Sequence, residues 1–252
     1  MKQTPTNFFG IVVRRQRYKE RDALVTILTK DYGFKTFLVR GTQTAKSKIS
    51  GSVITFSYGE YSGVIRDDGL SYLNSASNIK QFDEIVQDIE LNAYATFLFD
   101  LLHEAYIDDP VPDKWYRMLF KALLYIDNGY DAQIIVDIMQ MHLLEAFGVK
   151  PNMDSCVVGG ETEGVFDFSV LLGGLICSNH FDNDIHRLHI PQRIIYFLRL
   201  FSKINFDQVG KIEIKENNKD IIQHAIDAIY LGTVGYYPKS KNFIDKMKRW
   251  RI

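Results

Sequence analysis

The sequence predicts an α+β chain in two parts, a small β-barrel over residues 1–80 and a helical body over residues 81–252. Three observations predict it. Residues 8–14, 23–29, 34–40, 53–61 and 70–77 are rich in β-branched and aromatic side chains, and turn-forming residues separate them. From residue 83 onward, apolar residues recur at helical spacing. The charge divides at the same place. Residues 1–80 hold 13 Lys and Arg against 6 Asp and Glu, a net of +7, while residues 81–252 hold 17 against 25, a net of −8.

The strand breaks are Asp31-Tyr32-Gly33, the polar stretch 41–51, and Asp67-Asp68-Gly69. Five short strands in so few residues suit an OB-type five-stranded barrel, a fold that often binds single strands; an SH3-like barrel gives a similar pattern. In the body, Ile85, Ile89, Ala93, Phe97, Leu101 and Ala105 recur every fourth residue and predict a helix over 83–106. Pro112 opens a helix over 113–127, and Gly148 closes one over 131–147. An irregular, glycine-rich segment fills 150–180. Pro191 opens a helix to about residue 203. Two more follow, over 220–231 and 242–250. No long linker lies near residue 80, the expected domain boundary.

Apolar residues make up 46 % of the 252, which excludes disorder and allows a sizeable core. Two cysteines, Cys156 and Cys177, build no disulfide framework and fit reduced thiols. The N-terminal stretch does not read as a signal peptide, and no apolar run approaches the roughly 20 residues of a membrane span. A cytoplasmic protein is expected.

Ten cations lie between residues 14 and 48: Arg14, Arg15, Arg17, Lys19, Arg21, Lys30, Lys35, Arg40, Lys46 and Lys48. Only Glu20, Asp22 and Asp31 oppose them. The first five are expected in a flexible loop between the first two strands, and Lys46 and Lys48 in a second loop rich in hydroxyls. Such loops suit phosphate oxygens and hold a strand without reading its sequence. The plainer reading is a solvated surface that keeps the barrel soluble. Tyr18, Phe34, Phe37 and Tyr58 could stack on bases, but the strand pattern favours core positions for them.

Residues 8–51 resemble the N-terminal domain of the bacterial RecO family of recombination-repair proteins. The resemblance rests on Gly10-Ile11-Val12, the polar-basic turn 14–22, the second strand Thr26 to Thr29, the turn Lys30 to Gly33, Arg40-Gly41, Lys46-Ser47, and Gly51 with Phe56. The order of features continues to about residue 180. The resemblance implies an OB-type barrel followed by an all-helical domain with a zinc-finger-like insertion. It implies binding of single- and double-stranded DNA, annealing of complementary strands, and help in loading recombinase on coated single strands. It also implies RecR, single-strand-binding protein and, functionally, RecA as partners, a nucleoid-associated location and no catalysis. The nucleic-acid-binding candidates are then Arg14, Arg15, Arg17, Lys19, Arg21, Lys35, Arg40, Lys46 and Lys48. Arg193, Arg199 and Lys203, beside Tyr196, Phe197 and Phe201, suggest a basic groove for the acidic, hydrophobic-ended tail of single-strand-binding protein. An ordinary amphipathic helix with a charged outer face is the favoured reading of them. Lys239, Lys241, Lys246, Lys248, Arg249 and Arg251 form a second basic patch.

The cysteine segment departs from the family pattern of two Cys-x-x-Cys pairs, a set suited to structural zinc. Gly159 stands where the second thiolate would be, and His180 where the last would be. Cys156, Cys177 and His180 remain as remnant ligands, with Asp154, His186 or His189 as a fourth only if the loop folds that way. The expectation is a finger without a metal cofactor, held by packing of Val157, Val158, Phe166, Phe168, Leu171 and Leu175.

Signals of catalysis are weak. No phosphate-binding glycine loop or nucleophile elbow is present. Asp108-Asp109 reads as a helix breaker. Asp182 and Asp184 near His186 and His189 are the only hint of a metal-dependent nuclease. A general single-strand or RNA-binding barrel protein is the other alternative.

Overall fold

The structure, a computed structural model, describes residues 4–44, 47–66, 69–107 and 109–250, the side chain of Trp250 excepted. Lys46, Asp67, Asp68, Asp108 and Arg251 lie outside the described residues. The chain divides into two compact units, Met1–Asn128 and Gly129–Ile252.

In the first unit β1 (Thr6–Tyr18), β2 (Asp22–Thr29), β3 (Gly33–Val39), β4 (Ser57–Val64) and β5 (Ser71–Gln81) close into a barrel in the order β1-β2-β3-β5-β4. This is the OB-type barrel that the strand pattern predicts. The closing pair is short: β3 meets β5 in parallel only at Phe37 with Ser71 and Leu38 with Tyr72. Phe8, Val12, Ala23, Val25, Ile27, Phe37, Val39, Val53, Tyr61 and Leu73 fill its interior. Gly10 belongs to the same inner row: a Cβ there would run into Ile27. Helices α1 (Asp83–Gln87), α2 (Ile89–Ala105) and α3 (Asp113–Asp127) cover part of the outer wall. The Tyr58 ring lies 4.5 Å from Phe82 and 5.2 Å from Phe120, and Phe34 meets His103 edge-on at 4.8 Å. Phe37 is core. Of the four aromatics considered for stacking, only Tyr18 lies clear of core and helix, and Lys19 Nζ sits 5.4 Å from its ring centre.

Three elements differ from expectation. β1 does not stop at residue 14 but pairs with β2 through Tyr18, so Arg14, Arg15 and Arg17 sit on a strand and not in a flexible loop. Residues 53–56 do not begin a strand; a 3₁₀ turn, Ser50–Val53, closes one barrel end instead. The helix expected over 83–106 breaks at Asp88, whose carboxylate accepts from the Glu90 and Leu91 N–H groups and starts α2 afresh.

In the second unit α4 (Ala132–Leu143) is buried on every side except at His142, so it is the central helix. α5 (Gln192–Lys203) and α6 (Glu216–Thr233) pack against it, and α7 (Lys239–Trp250) follows. The glycine-rich segment contains an antiparallel hairpin, β6 (Phe166–Ser169) with β7 (Gly174–Cys177), then a 3₁₀ turn over Ser178–Asn183. Phe166, Phe168 and Leu175 are buried as expected. Val158 and Leu171 are exposed, the latter at 78 %, so packing rests on fewer side chains than the sequence suggested. No helix among the described residues is long and apolar enough to cross a membrane.

Candidate functional site

The basic residues gather at one end of the barrel because of a bulge in β1. The β1–β2 register shifts between Val12 and Arg14. Beyond the shift Arg15 opposes Val25 and Arg17 opposes Ala23, both interior residues, while Arg14 opposes Thr26 on the outer wall. Directly paired residues share a face. Arg15 and Arg17 therefore extend the inner row toward the barrel mouth, and Arg14 stands outside. Arg15 is engaged there: its guanidinium donates to the Ser50 carbonyl at 3.0 Å and the Ser50 hydroxyl at 3.1 Å, clasping the 3₁₀ turn.

The β1–β2 turn and the loop after β3 are tied together. Gly41 N–H donates to Asp22 Oδ1 at 2.9 Å, and Gln43 N–H to the Arg21 carbonyl at 3.1 Å. Asp22, the acid next to Arg21, is thereby held by backbone. Arg17, Lys19, Arg21 and Arg40 share this rim, and all four are exposed. The Arg40 and Arg66 guanidinium carbons lie 5.8 and 4.9 Å from the Tyr72 ring centre. Tyr72 continues an outer row of half-buried residues through Leu38 and Leu24, beside the Thr26 and Thr36 hydroxyls 3.3 Å apart. Sequence reasoning missed Tyr72 and Arg66, because the β3–β5 pairing that places them is long-range and parallel. Lys48 is exposed in the loop leading to the 3₁₀ turn, and Lys46 is outside the described residues. Lys35 is not brought to the rim. It opposes Ile27 near the other end of the barrel, five residues or about 17 Å along β3 from Arg40.

On α5 the expected groove residues have other contacts. Arg199 donates to the Met153 and Asp154 carbonyls at 3.0 and 2.7 Å, and Lys203 Nζ pairs with the Asp154 carboxylate at 2.5 Å. Phe197 and Phe201 are buried in the unit, while Arg193 and Tyr196 are exposed. On α7, Lys241 is buried between Asp227 and Asp245, at 3.0 and 2.6 Å. In the suggested cation cluster, Asp184 is buried and accepts from the Ser169 hydroxyl at 2.6 Å and the His186 N–H at 2.9 Å.

The cysteine segment brings four donors together. Ligand atoms of Cys156, Glu161, Cys177 and His180 all lie within 4.8 Å of one another. His180 Nδ1 is 3.2 Å from Cys177 Sγ, 3.6 Å from Cys156 Sγ and 3.6 Å from Glu161 Oε1. The set is therefore four and not three, and its fourth member is none of the residues the sequence suggested. Asp154 is bound to Lys203, while His186 and His189 are exposed, the latter with Nε2 3.1 Å from the Ile185 carbonyl. The chain doubles back to place Glu161: Cys156 N–H donates to the Glu161 carbonyl at 2.7 Å, and Gly160 N–H to the Cys156 carbonyl at 2.9 Å. Burial pushes the Cys156 thiol up, but the N–H groups of Gly159, Cys177 and Val158 outweigh it and bring the pKa down to about 7. The residues fit a metal ion. Bonds of about 2.0–2.3 Å to four tetrahedral ligands give edges of roughly 3.3–3.8 Å, close to the three separations from His180, and all four donors lie within 4.8 Å of one another. Glu161 Oε2 is buried with no hydrogen-bond partner among the described residues.

Fold and rim together define a class: an OB-type barrel with a cationic mouth, on a chain whose second unit packs helices on a central α4 and carries a cysteine hairpin. The family description "Recombination protein O N terminal" matches residues 1–82, and "Recombination protein O C terminal" matches residues 86–242. The chain is 42 % identical over 244 residues to the DNA repair protein RecO of Ligilactobacillus salivarius, covering 96 % of this chain and 94 % of that one. It is 41 % identical over 251 residues to the DNA repair protein RecO of Levilactobacillus brevis, covering 99 % and 96 %. The chain belongs to the RecO family, and its role lies in DNA repair and recombination.

Proposed function

We propose that the chain is a recombination mediator that captures single- and double-stranded DNA on the barrel rim, anneals complementary strands, and helps load recombinase on coated single strands. The observation that carries this reading is the tie between the β1–β2 turn and the loop after β3. It holds the turn that carries Arg17 and Arg21 against the loop that starts at Arg40, whose guanidinium carbon lies 5.8 Å from the Tyr72 ring centre. Guanidinium groups neutralise phosphate, and a neighbouring ring offers a base a stacking surface. Two strands that repel through their phosphates can then approach. Among the described residues nothing at the rim resembles a helix that reads a groove, which favours sequence-tolerant binding. Electrostatic capture and annealing require no covalent step, which fits a mediator without catalysis. RecR, the tail of single-strand-binding protein and RecA are the partners this role calls for, in the cytoplasm at the nucleoid. On α5 the exposed pair Arg193 and Tyr196 remains the surface for an acidic tail, since Arg199 and Lys203 hold the cysteine segment.

The test is polarisation binding to single-stranded DNA across a salt series, for wild type and for Arg17→Ala/Arg21→Ala/Arg40→Ala. Each lost phosphate contact lowers the log–log salt slope by about 0.7 on single strands, so the triple variant should bind more weakly with a slope shallower by roughly 2. An unchanged slope would remove the rim from the interface.

A further inference from the structure

We propose that Glu161 is the fourth ligand of a structural zinc site formed with Cys156, Cys177 and His180, its carboxylate standing in for the side chain that residue 159 lacks. This inference does not depend on the DNA reading. It starts from the space around Gly159. A Cβ built on Gly159 would overlap the Glu161 carboxylate and the His180 ring, so a side chain at 159 would project straight into the cluster. The backbone there does not demand glycine. Gly160 has a φ of +80°, which favours glycine, whereas Gly159 is not among the residues of positive φ. The carboxylate occupies the volume, and offers the negative charge, that a thiolate at 159 would supply.

The rest of the cluster is arranged as ligands are. Cys177 N–H donates to Cys156 Sγ at 3.3 Å, and further N–H groups from Val158 and Gly159 bear on the same sulfur. Such donors hold a sulfur in its anionic form. Two sulfurs, one imidazole and one carboxylate oxygen in a tight group of four match the donors and the coordination number of zinc. Calcium and magnesium take six or more oxygens. With two thiolates, a carboxylate and a neutral imidazole the site would carry a net charge of about −1 around a divalent ion. Four protein ligands leave no open position for water, so the ion is structural. It joins the loop that begins at Cys156 to the end of β7 and to the 3₁₀ turn that carries His180. The otherwise unpartnered Glu161 Oε2 lies in this cluster.

The test uses the full chain, reduced and stripped with a chelator, then titrated with zinc or with cobalt(II) as a spectroscopic substitute. Wild type should take up one ion per chain, and cobalt should give tetrahedral ligand-field and thiolate charge-transfer absorption. Glu161→Gln keeps the shape and removes the charge. It should weaken zinc binding at least as much as loss of an outer-shell partner does, about 10- to 100-fold. Zinc should raise the melting temperature of wild type more than that of the variant. Gly159→Cys combined with Glu161→Ala should restore affinity and increase the charge-transfer intensity, because a third thiolate replaces the carboxylate. If Glu161→Gln fails to fold, this double variant carries the test alone. Folded wild type that binds neither ion, Glu161→Gln with unchanged affinity, or a double variant without recovery would each overturn the proposal.

Discussion

Asp137 shows how one buried residue sets a pH dependence. It sits on the central helix α4, fully buried, and neither carboxylate oxygen has a hydrogen-bond partner among the described residues. Desolvation raises its pKa well above the ordinary carboxylate value, and Asp227 and Asp131 add to this. Lys248 and Lys241 oppose the shift without reversing it. The folded state therefore holds this proton more tightly than the unfolded chain. The Asp137 contribution to stability is fully present below the unfolded pKa, about 3.9, and is lost as pH rises through the higher folded value. Asparagine cannot ionise and removes this slope. Asp137→Asn should thus match wild type most closely near pH 4 and gain on it as the pH rises above that, read as melting temperature. A gap that stays constant across the range would show that Asp137 does not titrate with folding.

At the scale of elements, short polar contacts decide where helices and strands begin and end. Asp88 separates α1 from α2 by capping the second, with Oδ1 2.7 Å from the Glu90 nitrogen and 3.1 Å from the Leu91 nitrogen. Asp88→Ala should cost about 1 kcal/mol, a drop in melting temperature of roughly 2–4 °C for a chain of this size. An unchanged melting temperature would show the cap to be dispensable. The same case explains what the sequence discloses. The apolar spacing through 83–106 is real, yet it carries no sign of the break, because Asp88 lies on the polar face where any acid is tolerated. Strand alternation likewise reveals the barrel core, Val25, Ile27 and Phe37 among it, but not the bulge that extends β1 and turns Arg15 inward. Cys156, Cys177 and His180 are legible as ligands from residue type and spacing. Glu161 is not: it joins them because the Cys156 N–H donates to the Glu161 carbonyl, and the Gly160 N–H to the Cys156 carbonyl, folding the loop back on itself. Tyr72 joins Arg40 only across a parallel strand pair.

For the whole molecule, the near-neutral total charge of −1 hides a +7 head and a −8 remainder. On the proposed reading the DNA footprint is confined to the cations around the barrel mouth, where the +7 head carries its charge. That confinement puts a ceiling on counterion release. The exposed cations around the barrel mouth are Arg14, Arg17, Lys19, Arg21, Arg40, Lys48 and Arg66. If every one of these neutralised a phosphate on single-stranded DNA, the log–log salt slope would reach about −5, and a partial set would give roughly −2 to −4. Wild type titrated with a single-stranded oligonucleotide over a salt series should fall inside these bounds. A steeper slope would require cations outside the rim, and α7 is then the place to look, although Lys241 is already held there by two carboxylates. A slope near zero would mean that strands are held without phosphate contacts, which Tyr72 alone is too small to sustain. If the chain anneals strands as proposed, by lowering the repulsion between them, annealing should follow the same dependence and fade over the salt range in which binding fades.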